Sequence, residues 1–230
     1  MTAQRVAIVT GGLSGIGAAA ARALEAAGCT VATASRSGGF APLDVSNTES
    51  VSCFVEKVRA DLGAPTILVN SAGIYRGAAI HEQTDEDWET DIGTNLTGVF
   101  KMTRAVLPDM HAAGWGRIVN IASTAAHLGA STYAAYCASK AGVVALSKVT
   151  AIEGAPYGVN CVSISPTWIE TPMMDGAVAR GMSKDWIASQ NPQNRLVQPD
   201  EVGALVAFCC SDASPALTNE DIKVNAGAEW

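Results

Sequence analysis

Three side chains in the middle of the chain have the types and spacing needed to move a proton at a carbonyl or alcohol oxygen: Ser123, Tyr136 and Lys140. The stretch from Ala130 to Val149 reads as a helix, and on a helix Tyr136 and Lys140 at i and i+4 leave the same face one turn apart. A phenol with an ordinary pKa near ~10 is a poor acid or base at neutral pH. A neighbouring ammonium stabilises its phenolate, and Lys140 can supply that charge. Ser123 stands 13 residues before Tyr136, at the end of the strand-like run RIVNIAS. There its hydroxyl could hold a carbonyl oxygen beside the phenol, completing an acid/base site. A serine in such a place is also an ordinary helix cap or turn residue, and a Tyr-x-x-x-Lys spacing arises by chance in many helices.

A second constellation lies at the amino-terminal end. An apolar run, Arg5 to Val9, leads into TGGLSGIG at Thr10 to Gly17, followed by an alanine-rich helical stretch that closes at Gly28. Strand, glycine-rich turn and helix start together make an anion site, because backbone N–H groups point outward and glycine lets a pyrophosphate approach closely. The next strand, Thr30 to Ala34, ends in Ser35-Arg36 rather than in a carboxylate. In dinucleotide-binding folds a carboxylate there pairs with the ribose hydroxyls, whereas an arginine accommodates a 2′-phosphate. Arg36 therefore favours NADP(H), with NAD the alternative if Arg36 is only a solvated strand-end residue.

The elements that must carry these groups alternate. Only SGGFAP separates the second strand from Leu43-Asp44-Val45, too short for a crossover helix of ~10 residues, so a loop is expected there. Helix resumes from Asn47 to Leu62, capped by Ser46 or Asn47, with Val51, Phe54, Val55 and Val58 as its apolar stripe. Thr66 to Val69 reads as a buried strand closed by Asn70-Ser71-Ala72-Gly73. A long helical tract from about Asp85 to Ala113 is expected to be interrupted at Gly93 and Gly98 and carries Asn95, which could hold a water, bend the helix or simply pack. Strands over Arg117 to Ala122, VNCVSIS and Ile222 to Val224 follow, with helix from Asp200 to Cys210. The tract 168–195 has weak periodicity and reads as short helices and loops covering the crevice, with His127, Trp168, Met173, Met174 and Trp186 as candidate pocket residues. Strands alternating with helices along 1–230 predict a single α/β domain with a doubly wound parallel sheet.

Composition bounds the alternatives. At 230 residues with 48% hydrophobic and 16% charged residues, the chain suits one compact soluble domain. A net charge of −7 without a Lys/Arg stripe argues against a nucleic-acid partner. No apolar stretch approaches the ~20 residues of a membrane span, and the start lacks signal-peptide architecture. The six cysteines lie among apolar neighbours without metal-ligand spacing, so they read as buried small hydrophobes in a reducing compartment, no metal site is expected, and the cytoplasm is the default location.

With these residues in place the chain resembles the short-chain dehydrogenase/reductase family along nearly its whole length. TGGLSGIG is similar to the family's TGxxxGxG loop, and Asn70-Ser71-Ala72-Gly73 to its NNAG segment, with Ser71 replacing the second Asn. Asn95 in TNLTGVF, Ser123 in IVNIAS, and Tyr136 with Lys140 in YCASK fit its catalytic tetrad. The resemblance implies a Rossmann-type fold and a secondary alcohol/ketone oxidoreductase working with NADP or NAD on a small molecule, as a homotetramer. It implies that Tyr136 exchanges the proton, Ser123 bonds the reacting oxygen, Lys140 lowers the tyrosine pKa and holds the nicotinamide ribose, and Asn95 positions a water. It also implies cofactor contacts at Gly11, Ser14, Gly15, Ile16, Gly17, Arg36, Asp44, Asn70, Ala72, Gly73, Ile169 and Thr171, besides Tyr136 and Lys140.

Three departures bear on function. The helix after Arg36 is missing. Thr167 replaces the glycine that usually follows Pro166, which in this family goes with some polyol and sugar-alcohol members and raises an NAD-dependent polyol dehydrogenase as the alternative. Asn225-Ala226-Gly227 replaces the usual Asp-Gly-Gly, before Ala228-Glu229-Trp230 at a terminus that often lies in a subunit interface. The acidic charge argues mildly against a ketoreductase for substrates carried on an acidic protein.

Overall fold

A computed structural model of the chain describes residues 4–179 and 181–228; Glu229 and Trp230 of the unusual carboxyl end lie outside the described residues. Seven parallel strands form one sheet: β1 (Val6–Thr10), β2 (Thr30–Ser35), β4 (Ala41–Pro42), β5 (Pro65–Asn70), β6 (Gly116–Ile121), β7 (Val159–Pro166) and β8 (Asp221–Val224). Their spatial order is β4-β2-β1-β5-β6-β7-β8. The chain thus winds outward from β1 in one direction and from β5 in the other. The reversal leaves a crevice beyond the carboxyl ends of β1 and β5, where open parallel sheets bind ligands.

Both faces of the sheet are covered, which is why its strands are apolar throughout rather than alternating. On one face α1 (Gly15–Ala26) and α8 (Pro199–Cys209) press Ala20, Leu24, Val202 and Val206 onto Ile67, Val69, Val119 and Val162. On the other, α2 (Thr48–Asp61) and α4 (Gly98–Ala113) press Phe54, Val58, Met102 and Val106 onto Ile8, Leu68, Ile118 and Cys161. Asn47 caps α2 by accepting the Ser50 N–H at 2.9 Å, and the expected stripe of Val51, Phe54, Val55 and Val58 is buried.

Several local readings change. The loop expected after β2 holds the two-residue strands β3 (Gly38–Gly39) and β4, and β4 pairs with β2 as the sheet's edge. Gly39, at φ +110°, turns so close to β2 that a Cβ would lie 2.4 Å from the Thr33 carbonyl oxygen. The tract 85–113 is interrupted at the two expected glycines by a change of helical form rather than by a break. It runs as α3 (Asp85–Ile92), a π-helical turn (Gly93–Thr97) and α4, since Gly93 and Gly98 keep helical backbone. The helix bearing Tyr136, α5 (Ala134–Gly154), begins at Ala134 instead of Ala130, because Thr132 adopts φ +69°, which a right-handed helix forbids. Between β7 and α8, the tract 168–195 holds two short helices, α6 (Pro172–Ala179) and α7 (Lys184–Ser189). Cys161, Cys209 and Cys210 are buried, but Cys53 is exposed on α2 and Cys29 and Cys137 are half-buried, so the cysteines are not uniformly core residues.

Candidate active site

The crevice at the sheet reversal is a cleft of about 800 Å³ lined from both sequence constellations. Gly11, Ser14, Gly15 and Ile16 line it with Ala72, Gly73, Ser123, Tyr136, Lys140, Ile169 and Thr171, and Thr171 lies beside the glycine loop, since a Cβ on Gly15 would stand 3.0 Å from its Cγ2. Two loops meet there because the Thr10 hydroxyl accepts the N–H groups of Ser71 and Ala72, each at 3.1 Å.

The glycine loop has room for a phosphate for physical reasons. A Cβ on Gly17 would lie 2.2 Å from the Gly11 carbonyl oxygen, so only glycine lets the turn close onto α1. Gly17 is buried and acts as this packing residue rather than as a lining one. At the N-terminus of α1, the Ser14 hydroxyl makes no capping hydrogen bond and the first turn carries no acidic residue. The helix-start N–H groups are therefore left to an anion in the cleft, which fits a dinucleotide pyrophosphate.

Tyr136 and Lys140 share one face of α5 as their spacing predicts, with Lys140 Nζ 5.7 Å from the Tyr136 ring centroid. Lys140 is buried and donates to the Ile121 carbonyl oxygen at 2.7 Å; burial holds its pKa down at about 8. Burial likewise pushes the Tyr136 phenol up to about 12, against the hydrogen bond with Ser123 that lowers it. Desolvation is the largest influence on the phenol, and the Lys140 ammonium stands where its charge favours the phenolate that proton transfer would form. Ser123 also accepts the Ala125 N–H at 3.1 Å, capping a 3-10 turn (Thr124–Ala126), so its two readings coexist.

Asn95 sits at the π-turn, fully buried. Its Oδ1 accepts the Ile74 N–H and its Nδ2 donates to the Ile74 carbonyl oxygen, both at 2.9 Å, and to Ser139 Oγ at 3.2 Å. A Cβ on Gly73 would stand 3.5 Å from Asn95 Oδ1 and 3.6 Å from Lys140 Nζ, which brings Gly73, Asn95 and Lys140 together. One turn earlier Asp91, also buried, accepts the Arg76 N–H through Oδ2 at 3.2 Å, while Oδ1 has no partner among the described residues. Its pKa is raised by burial.

Other expected residues lie elsewhere. Asn70 is buried under the cleft, donating to Asn120 Oδ1 at 2.8 Å, because its strand-end side chain points into the sheet's own polar seam. Arg36 and Asp44 are exposed beyond the cleft. Arg36 makes no hydrogen bond among the described residues, whereas Asp44 is held low in pKa mainly by the Ser46 hydroxyl, with Arg36 and Lys101 as lesser causes. Trp168, Met173 and Met174 line the cleft, but His127 turns away to pair with Asp221 at 2.7 Å, and Trp186 faces solvent on α7. Two aromatic lining residues escaped the sequence: Tyr75 and Tyr133, stacked with ring centroids 4.0 Å apart. Tyr133, three residues before Tyr136, carried a helical-spacing signal; Tyr75 carried none.

Comparison with known proteins agrees with this geometry. A family model described as "Enoyl-(Acyl carrier protein) reductase" matches residues 11–229. Acetoacetyl-CoA reductase of Rhizobium meliloti (strain 1021) is 42% identical over 237 residues, covering 97% of this chain and 98% of that one. D-threitol dehydrogenase of Mycolicibacterium smegmatis is 39% identical over 241 residues, covering 97% of this chain and 92% of its own. The aldohexose dehydrogenase of Thermoplasma acidophilum in ligand-free form superposes with a TM-score of 0.92 at 28% identity, covering 97% of this chain and 93% of that one. The chain belongs to the short-chain dehydrogenase/reductase family, oxidoreductases that act on CH–OH and C=O groups with NAD(P).

Proposed function

We propose that this protein interconverts a secondary alcohol and a ketone with NADP(H), using Tyr136 as the acid/base. The observation that carries this reading is the meeting of the Tyr136 phenol, the Ser123 hydroxyl and the buried Lys140 ammonium in one cleft with the glycine loop. The nicotinamide, when bound, gives hydride to the carbonyl carbon or takes it from the carbinol carbon. Tyr136, a phenol that keeps its proton at neutral pH, donates it to the oxygen that gains negative charge when a ketone is reduced. Ser123 donates to the same oxygen and Lys140 offsets the phenolate that forms. In alcohol oxidation Tyr136 takes the proton back. Asn95 acts by fixing Ile74 over α5, and Gly11, Ser14, Gly15, Ile16, Ala72, Gly73, Ile169 and Thr171 shape the cofactor's end of the cleft.

NADP(H) is favoured over NAD(H) because Arg36, exposed and without a hydrogen-bond partner among the described residues, stands after β2 where a carboxylate would bind ribose hydroxyls. A second reading, an NAD-dependent polyol dehydrogenase, is supported by Thr167 in the cleft lining and by the D-threitol dehydrogenase relative. Cytoplasmic work as a homotetramer completes the proposal. Phe100, Val149 and Ile152 on α4 and α5, and Phe208 on α8, leave apolar surface for subunit contacts, and the six free thiols suit a reducing compartment. Among the described residues no helix is long and apolar enough to cross a membrane.

The test pairs fluorescence titrations of NADPH and NADH with hydride-transfer assays over ketones and alcohols. Transfer with tighter NADPH binding is expected. An absence of transfer with both cofactors across the panel overturns the reading.

A further inference from the structure

Beyond Ser123 and Tyr136 the cleft changes character. Its walls there are Tyr75, Leu128, Tyr133, Trp168, Met173 and Met174, and Lys140 is the one charged side chain among the described residues lining the whole cleft. That ammonium is committed to the Ile121 carbonyl and the reacting centre. The same described lining contains no Asp, Glu, Arg, His, Asn or Gln. A carboxylate or phosphate brought into such walls would be desolvated with no charged partner but the committed Lys140, and the hydroxyls of a polyol would meet only neutral hydroxyls such as Ser71, Thr124 and Thr167.

The aromatic wall is built, not incidental. Asn95 grips both backbone groups of Ile74 and Asp91 grips the N–H of Arg76, so Tyr75 is carried between two fixed residues. Its hydroxyl reaches out of the cleft to Thr132 Oγ1 at 3.2 Å, and Gly77 makes room for it, since a Cβ there would lie 2.0 Å from Tyr75 Oη. What remains for the cleft is ring. Tyr75 stacks on Tyr133 at an interplanar angle of 12°, and both meet the Tyr136 ring edge-on, at centroid distances of 5.9 and 6.0 Å. The reacting phenol is therefore flanked by an aromatic pair on which a flat apolar group attached to the reacting carbon can pack, with Met173 and Met174 also in the lining.

We propose that the substrate is an uncharged ketone or secondary alcohol bearing an aryl or similarly flat apolar group on or next to the reacting carbon, held against Tyr75 and Tyr133. This rests on the assignment of Tyr136 as acid/base above. It sets the protein apart from its relatives named for acetoacetyl-CoA and D-threitol, whose names imply a charged carrier and a polyol.

The experiment measures kcat/KM for acetophenone, acetoacetate, acetoacetyl-CoA, erythrulose and 2-butanone with saturating cofactor. Acetophenone is expected to exceed acetoacetate and erythrulose by at least tenfold. Tyr75→Ala should lower kcat/KM for acetophenone at least tenfold more than for 2-butanone, chiefly through KM, while Tyr75→Phe keeps the stack and the wild-type KM. Preference for acetoacetate, acetoacetyl-CoA or erythrulose overturns the substrate class and leaves the Tyr136 assignment standing. Equal loss for acetophenone and 2-butanone in Tyr75→Ala makes Tyr75 merely structural and overturns it too. No turnover of any of the five, with cofactor bound, removes both.

Discussion

Lys140 donates its hydrogen bond to the carbonyl oxygen of Ile121, at 2.7 Å, from a buried position on α5. This ties the catalytic helix to the last residue of β6, two residues before Ser123, and so fixes the helix against the strand end that delivers the serine. The bond does not repay the whole cost of desolvating an ammonium, which is why the lysine titrates at about 8 rather than at its ordinary value near 10.5.

The sign of the consequence is definite. A lysine whose pKa is depressed on folding destabilises the fold while it is charged, and that cost disappears as pH rises through about 8 and past the unfolded value. Lys140→Met should therefore melt above wild type at pH 7, by roughly 2–4 °C for a gain of about 1 kcal/mol, with the gap closing above pH ~10. It should also lose most hydride transfer. Thermal melts across pH check the first part; a variant less stable than wild type at pH 7 would show that the lysine supports the fold.

Asp91 has the opposite charge and a related predicament. Its carboxyl is buried one turn before Asn95, with Oδ1 unpaired among the described residues, and its pKa is raised by desolvation first, with the Asp87 charge also raising it and the Arg76 N–H and charge lowering it. An acid with a raised folded pKa stabilises below its unfolded value and loses that contribution as pH climbs through the folded one. Asp91→Asn keeps an acceptor for the Arg76 N–H and removes the charge. It should melt above wild type at neutral pH and lose that advantage below pH ~4. Because the Asp91 charge raises the Tyr136 pKa, the same variant should move the phenol's ionisation downward.

The contrast among these residues explains what was legible in the chain. Tyr136 and Lys140 could be placed from sequence because both lie within α5, Tyr136 in its first turn, so their relative direction survives a start at Ala134 instead of Ala130. The glycine loop was legible because Gly17 answers a local steric demand, a carbonyl 2.2 Å from where a Cβ would be. His127 was misplaced into the pocket because its direction depends on Asp221, 94 residues away on β8, which also accepts hydrogen bonds from Ser163 and Ser165. Tyr75 was missed for a similar reason. It reaches the cleft only through the grip of Asn95 and Asp91 on its neighbours, and no local pattern records a contact made across 21 or 15 residues.

Arg36 offers a direct test of cofactor choice. It is exposed, acts on Asp44 only as a minor electrostatic influence, and makes no hydrogen bond among the described residues. Arg36→Ala should therefore leave the fold's melting temperature unchanged. It should weaken NADPH binding by roughly 1.5–3 kcal/mol, the scale of a hydrogen bond to a charged group, and spare NADH. Paired fluorescence titrations check this. Equal losses for both cofactors would assign Arg36 to something other than the 2′-phosphate, and unchanged binding of both would make it a surface residue.

Tyr136→Phe separates proton transfer from architecture. The ring contacts with Tyr75 and Tyr133 are made by the ring itself, so phenylalanine preserves them and loses only the hydroxyl and its hydrogen bond with Ser123. Removing a buried hydroxyl from a pair leaves the Ser123 hydroxyl its Ala125 N–H contact, so little destabilisation is expected. The kcat should fall by about 10²–10⁴-fold, the scale of general acid–base catalysis, while the dissociation constants for NADPH and an apolar ketone stay within about threefold of wild type. Stopped-flow single turnovers with bound cofactor place the loss in the chemical step rather than in release. Retention of more than about a tenth of wild-type turnover would move the proton donor to another group, with Ser123 the next to test.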